Sequence, residues 1–175
     1  MNFHPSTVQA RLASPLGPIV VAASERGLCG LWFDGQRHQP DATVSARWAP
    51  AAQHEVLDRT AAALQAYFDG DAEPFAMPVD LQGGTVFQQA VWRALCAIPR
   101  GETVSYRGLS ERIGMPSAVR AVAAAVGRNP VSIVVPCHRV VGSDGTLTGY
   151  AGGLERKASL LQLEKAMAQS ERLWA

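Results

Sequence analysis

The chain has 175 residues, 47% hydrophobic and 18% charged, enough apolar material for one sizeable domain or two small ones. It contains no run of about 18 apolar residues, and Met1-Asn2-Phe3-His4-Pro5 lacks a basic segment followed by an apolar stretch, so neither a membrane span nor a secretory signal is expected. The net charge of +1 conceals an asymmetry: residues 1–84 carry five Arg and no Lys against nine Asp and Glu, a net of −4, and residues 85–175 carry eleven Lys and Arg against six, a net of +5. Either the surface charge is merely uneven, or a polyanion docks on the basic half.

Thr7–Ala13, Pro18–Ser24 and Gly27–Phe33 read as three strands of an antiparallel meander, the first two joined by the turn Ser14-Pro15-Leu16-Gly17. Residues 36–50 are polar and contain two prolines, which predicts a loop. Glu55–Phe68 has apolar residues at 56, 57, 61, 64 and 68, a helical stripe ended by Asp69-Gly70-Asp71, and Pro78–Leu81 reads as one more short strand. Gln82-Gly83-Gly84 reads as a hinge that divides the chain into residues 1–84 and 85–175. Thr85 and Gln88 then form a capping-box pattern for a helix with Phe87, Val91, Leu95 and Ile98 on one face. Ser105–Ile113, the turn Gly114-Met115-Pro116 and Ser117–Val126 outline a helix-turn-helix. Val131–Val135 reads as a buried strand running into Pro136-Cys137, and Leu154–Ala168 as a final helix.

Three cysteines without close spacing, Cys29, Cys96 and Cys137, speak against a disulfide framework and give little support to a zinc site. A reducing cytosol, and so a cytoplasmic location, is expected. Cys29 lies in a strand pattern and Cys96 in a helix, and both read as core. Cys137 differs, because His138 and Arg139 follow at once. A cysteine attacks as thiolate and needs an activating neighbour. In extended strand, however, adjacent side chains face opposite ways. Either the backbone turns after Pro136, or a water bridges Cys137 and His138, or Cys137 is a structural residue beside a surface histidine. Asn129-Pro130 is able to build a turn close behind. Gly149-Tyr150-Ala151-Gly152-Gly153 either lets backbone N–H groups approach a ligand or is a plain connector. Glu164, well inside the final helix pattern, is either on the surface or the partner of His138 in a Glu–His–Cys relay.

Val135-Pro136-Cys137-His138-Arg139-Val140 resembles the active-site signature of the O6-alkylguanine-DNA alkyltransferases, also called methylated-DNA–protein-cysteine methyltransferases. Gly101-Glu102-Thr103-Val104-Ser105-Tyr106, Arg120-Ala121-Val122, Gly127-Arg128-Asn129-Pro130 and Gly149-Tyr150-x-Gly152-Gly153-Leu154 resemble further family blocks in the same order, continued by Lys157, Leu160, Leu161 and Glu164. The similarity is strong over about residues 85–166 and looser before them, and the bacterial constitutive type is nearest.

The resemblance implies an α+β fold: a small N-terminal α/β domain with an antiparallel sheet, ribonuclease H-like, over residues 1–84, and a mostly helical domain with the helix-turn-helix over residues 85–175. It implies single-turnover DNA repair by direct reversal, in which the O6-alkyl group of guanine, and also O4 of thymine, passes irreversibly to Cys137. His138 would take the thiol proton through a water, Glu164 would orient His138, and Asn129 would hold the turn. Tyr106 would donate to guanine N3 so that the base leaves neutral. Val140, Tyr150, Ala151 and Ser132 would form the base pocket. The implied partner is double-stranded DNA containing O6-alkylguanine, entered from the minor groove with the base flipped out. Arg120 would fill the vacated space, with Ser105, Ala118, Val119, Ala121 and Ala123 near the backbone. No cofactor and no metal are implied, and the protein is expected to be monomeric or cooperative on DNA.

The chain departs from some relatives at Ala151, which replaces a serine, at Gly149, which replaces an asparagine, and at Ser132, where bulkier residues narrow the pocket and whose small size would admit larger alkyl groups. Two other readings are set beside this one: a module that binds alkylated DNA without repairing it, against which the presence of Cys137 speaks, and a cysteine hydrolase using Cys137 and His138, against which the basic helix-turn-helix speaks.

Overall fold

The computed structural model describes residues 1–51, 53–71 and 75–167. Strands β1 (Val8–Leu12), β2 (Ile19–Ser24) and β3 (Gly27–Phe33) form the expected antiparallel meander, and β4 (Ala49–Pro50) adds in parallel to β1, giving the order β3-β2-β1-β4. β2 and β3 are buried along their whole length. Their side chains alternate between two apolar layers. Ile19, Val21, Leu31 and Phe33 enter the main core, while Val20, Ala22, Cys29 and Trp32 face the other way against Trp48 and Phe3. Trp32 and Trp48 stack at 6.1 Å, with Phe3 edge-on to Trp48 at 4.7 Å. The segment expected to be plain loop therefore folds. Asp41 caps a short helix α1 (Ala42–Ser45), and the next turn lays Trp48 over the outer face of the sheet.

Helix α2 (Glu55–Phe68) covers the inner face. Its buried line is Leu57, Thr60, Leu64 and Tyr67, one step away from the purely apolar stripe, because Thr60 returns its hydroxyl to the Val56 carbonyl at 2.7 Å and so buries without loss. Pro78–Leu81 makes a single bridge, Leu28 to Val79, rather than a strand.

Helix α3 (Val86–Cys96) has the capping box at Thr85 and Gln88 and buries Val91, Trp92 and Leu95. Trp92 carries much of the packing: its Nε1 donates to the Ala125 carbonyl at 2.9 Å, and its ring lies so close to Gly84 that a Cβ there would sit 2.3 Å away. Gly84 thus serves close packing rather than a free hinge. Helices α4 (Tyr106–Arg112) and α5 (Val119–Gly127) flank a turn longer than expected, from Ile113 to Ala118. Just before α4, β5 (Val104–Ser105) pairs in parallel with β6 (Val140–Val141), tying the start of the helix-turn-helix to the residues after Cys137. The main core runs without a break from the sheet through α2, α3 and α5 to Leu160.

Residues 131–136, buried except for the half-buried Val134, are not a strand. Only Val131 bridges to Leu31, with Ser132 N–H donating to the Leu31 carbonyl at 2.9 Å. The chain then coils, and Ile133 takes φ 69°, in the left-handed region that disfavours a β-branched residue. Helix α6 (Leu154–Leu163) ends sooner than the periodicity predicts. Glu164 is its C-cap, Lys165 turns with φ 60°, and the predicted end at Ala168 lies outside the described residues. No described helix is long and apolar enough to cross a membrane.

Candidate active site

The coil after α5 closes on itself through one side chain. Asn129, buried, accepts from Val131 N–H at 3.0 Å and donates to the carbonyl of Val135 at 2.7 Å and to Cys137 Sγ at 3.0 Å. Residues Cys137–Arg139 form one turn of 3-10 helix. The backbone therefore turns after Pro136, resolving the geometric objection to a Cys-His pair, yet no hydrogen bond joins His138 directly to the sulfur.

His138 is completely buried and points its Nε2 at Glu164 Oε1, 3.0 Å away. Glu164, placed at the helix end, accepts from three residues: His138, Arg139 (Nε to Oε2 at 2.8 Å, Nη2 to Oε1 at 2.9 Å) and Tyr67 (hydroxyl to Oε1 at 2.7 Å). The open choice for Glu164 is thereby decided: it is buried and paired with His138. With Nε2–H given to the carboxylate, the buried Nδ1 has no partner among the described residues and keeps its lone pair.

The charges follow from burial. Burial pushes the Cys137 thiol up to about 11, against the pull of the Asn129 bond, Lys157 and backbone N–H groups. At rest it is a thiol. Burial also lowers His138 below its ordinary value, more than Glu164 raises it, so the imidazole is neutral. For Glu164, burial opposes ionisation, but the bonds and charges of His138 and Arg139 outweigh it and hold the carboxyl well below the usual range. Lys157, fully buried, is brought down to about 8 by desolvation. Its ammonium donates to the carbonyls of Val140 and Thr148, the second at 2.7 Å, and so ties β6 to the glycine loop.

Between α5 and the glycine loop lies an open cleft of about 590 Å³, which Cys137, almost wholly buried, does not line. One wall is α5, through Val119, Arg120, Ala123 and Ala124; the other is Thr148, Gly149, Tyr150 and Ala151, with Tyr106 also lining it. The Tyr106 hydroxyl donates to the Gly149 carbonyl at 2.8 Å, and burial followed by Cys137 pushes it up to about 12. Tyr150 packs under the loop because Gly152 has no side chain; a Cβ there would lie 2.7 Å from its ring. Ser132 and Val140 are buried and do not line the cleft, and Ser132 accepts from Gln36 Nε2 at 3.2 Å. Ser105 caps α4 through Gly108 N–H at 3.0 Å, Ala118 precedes α5, and Ala121 is exposed on α5 outside the cleft. Arg37 and His38 join Arg120 and Arg128 around the opening, so the cationic rim draws on the acidic half of the chain as well as the basic half. Cys29 is buried as expected, whereas Cys96 is exposed. Among the described residues no cluster of side chains forms a metal site.

Residues 86–166 match the family described as 6-O-methylguanine DNA methyltransferase, DNA binding domain, and residues 8–81 match its ribonuclease-like domain. The methylated-DNA–protein-cysteine methyltransferase of Mycobacterium tuberculosis is 45% identical over 160 residues, covering 90% of this chain and 92% of its own. The chain belongs to the methylated-DNA–protein-cysteine methyltransferase family. The enzyme of that name from Methanosarcina barkeri is 45% identical over 154 residues, covering 88% of this chain and 94% of its own. The crystal structure of the Mycobacterium tuberculosis O6-methylguanine methyltransferase superposes with a TM-score of 0.81 at 41% identity, covering 94% of this chain and 96% of that one. That of Mycobacterium tuberculosis OGT in complex with DNA gives 0.79 at 42% identity, covering 91% and 94%. The fold is that of the family, its activity is methyl transfer from DNA to a protein cysteine, and residues 86–166 are its DNA-binding domain.

Within this family site, sequence reasoning missed Tyr67, the role of Arg139, and Lys157 as a tie between pocket walls. A lysine at 157 between Ala158 and Arg156 looks like surface, and only its fit into a ring of carbonyls shows otherwise. Tyr67 had one available signal: its place on the buried line of α2, where a hydroxyl needs a partner.

Proposed function

We propose that Cys137 removes the alkyl group from O6 of guanine in double-stranded DNA, once per molecule and irreversibly. The Asn129–Cys137 bond beside the His138–Glu164 pair carries this reading. The thiol proton passes through a bridging water to His138 Nδ1, while Nε2–H stays on Glu164. The sulfur attacks the alkyl carbon, the carbon–O6 bond breaks, a thioether forms, and the electron pair leaves with guanine. Asn129 and Lys157 favour the thiolate as it develops. Tyr106 exchanges its bond to Gly149 for one to guanine N3, and its raised pKa keeps it a proton donor. Val140 and Ala151 offer backbone groups to the base and Tyr150 lines the pocket, with Ser132 beneath it.

The target atom lies inside the duplex, so the base must be flipped at a cost of a few kcal/mol. Arg120, exposed and lining the cleft, takes the vacated place. The small side chains Ala118, Val119, Ala121 and Ala123, with Ser105, allow α5 to approach the narrow minor groove. O4-alkylthymine is a second substrate. The protein works as a monomer able to bind DNA cooperatively, in the cytoplasm, with a division at Gly84 between a scaffold domain and the DNA-binding and active-site domain. Incubation with duplex bearing O6-methylguanine should add one methyl mass to the Cys137 peptide, and Cys137→Ser should stay unmodified. A methyl found elsewhere, or none, refutes the reading.

A further inference from the structure

We infer that Tyr67, from the N-terminal half of the chain, is a positioning residue of the transfer reaction, its hydroxyl holding Glu164 in the orientation that receives His138. The inference rests on the roles proposed above for Cys137 and His138. Tyr67 sits in the last turn of α2 and donates to Glu164 Oε1 at 2.7 Å, the same oxygen that takes His138 Nε2 at 3.0 Å. Arg139 grips the carboxylate along one edge through both oxygens. Such a fork fixes the carboxylate plane, and a third donor on Oε1 fixes which lone pair is left for the imidazole.

Tyr67 is itself held. Arg100 lies 5.2 Å over its ring and donates to the carbonyls of Gly70, Asp71 and Leu163. The end of α2, the segment after α3 and the end of α6 therefore meet at one point, directly behind the relay. Burial and the Glu164 charge push Tyr67 ionisation far above its ordinary value, so it is always a donor. The ionisable groups facing this point are Tyr67 from α2, Cys96 from α3 and Arg100 after it, His138 and Arg139 from the 3-10 turn, Tyr150 from the glycine loop, and Lys157 and Glu164 from α6 and its end. A tyrosine needed only for packing would be replaceable by phenylalanine without change in chemistry. One sharing an oxygen with His138 competes for its electron density, so its loss both loosens the imidazole and strengthens the pull of Glu164 on the imidazolium form.

The test compares the full chain with Tyr67→Phe and with 3-fluorotyrosine placed at position 67, which keeps the ring and makes the hydroxyl a stronger donor. Single-turnover transfer is followed from free O6-benzylguanine and from methylated duplex across the histidine titration range. Tyr67→Phe is expected to lose roughly tenfold in rate on both substrates and to move the acid limb of the pH profile upward. Fluorotyrosine should move that limb downward. An acid limb that stays fixed in both variants, or a parental rate in Tyr67→Phe, overturns the role. Should Tyr67→Phe not fold, an unmoved limb in the fluorotyrosine protein overturns it by itself. A parent protein that takes no methyl at Cys137 overturns both this role and the function it rests on, whereas a parent that does leaves only Tyr67 at stake.

Discussion

The side-chain amide of Asn129 donates to the sulfur of Cys137 across 3.0 Å while bonding the backbone on both sides of the loop between them. The bond does two things. It fixes the coil that carries the cysteine, and it offsets part of the burial that otherwise keeps the thiol protonated to about 11. Replacing Asn129 with Ala should leave the Val131 N–H without its partner, at about 1–3 kcal/mol for a buried group left unpaired, while the Val135 carbonyl keeps the N–H of Cys137. Alkyl transfer should fall further than stability does. Urea unfolding alongside single-turnover kinetics measures both, and a variant of parental rate would show the bond to sulfur to be idle.

Glu164→Gln keeps the shape of the carboxylate and removes its charge. Arg139 then lies half-buried without a counter-ion, and His138 loses the group that stabilises its protonated form. Breaking such a pair costs about 3 kcal/mol, and the rate should drop roughly 100-fold. Thermal unfolding and reaction with O6-benzylguanine check the two effects separately. Since the free base needs no flipping, the rate loss should be as large there as on duplex DNA.

Stability should fall on acidification in two stages. The folded pKa of His138 lies below the ordinary 6.5, so below that pH the unfolded chain binds the extra proton and folding loses free energy. Glu164 is also depressed when folded, from 4.5, so the stability it supplies is present above 4.5 and is lost as pH falls through the folded value. Urea midpoints measured over this range should decline first below pH 6.5 and then more steeply below 4.5. Glu164→Gln should flatten the second stage, and a parental slope there would point to other carboxylates.

Arg120 is exposed on α5 and touches nothing in the relay. Arg120→Ala should therefore slow repair of methylated duplex severely while leaving reaction with free O6-benzylguanine within about twofold, since exposed substitutions rarely perturb stability. Equal losses on the two substrates would contradict a role in base flipping.

Local order was legible in the chain wherever a short-range pattern decided it. The three strands of the meander, the ends of α2 and the capping box at Thr85 all appear as read, because propensity, capping and turn chemistry act over a few residues. Reading failed where the partner was distant. Val131–Val135 has the composition of a strand, but one bridge to Leu31 and the demands of Asn129 bend it into coil. Trp48 looked like a loop residue until the outer face of the sheet needed covering. Cys96 looked like core and is exposed, because the buried face of α3 passes through Val91, Trp92 and Leu95 instead.

The sequence by itself determined which residues are the candidates for the chemistry: a cysteine beside a histidine, a glutamate 27 positions on from the cysteine, an arginine among alanines, each resembling a family block. Only the tertiary structure decided how they are poised. Burial makes Cys137 a thiol and His138 neutral, and desolvation is a property of the packed neighbourhood and not of any window of chain. It also brought Tyr67 and Arg37 from the acidic half to the relay and to the cleft. Hydrogen-bond partners so far apart in sequence leave no local signature, and only the folded core sets the distance between them.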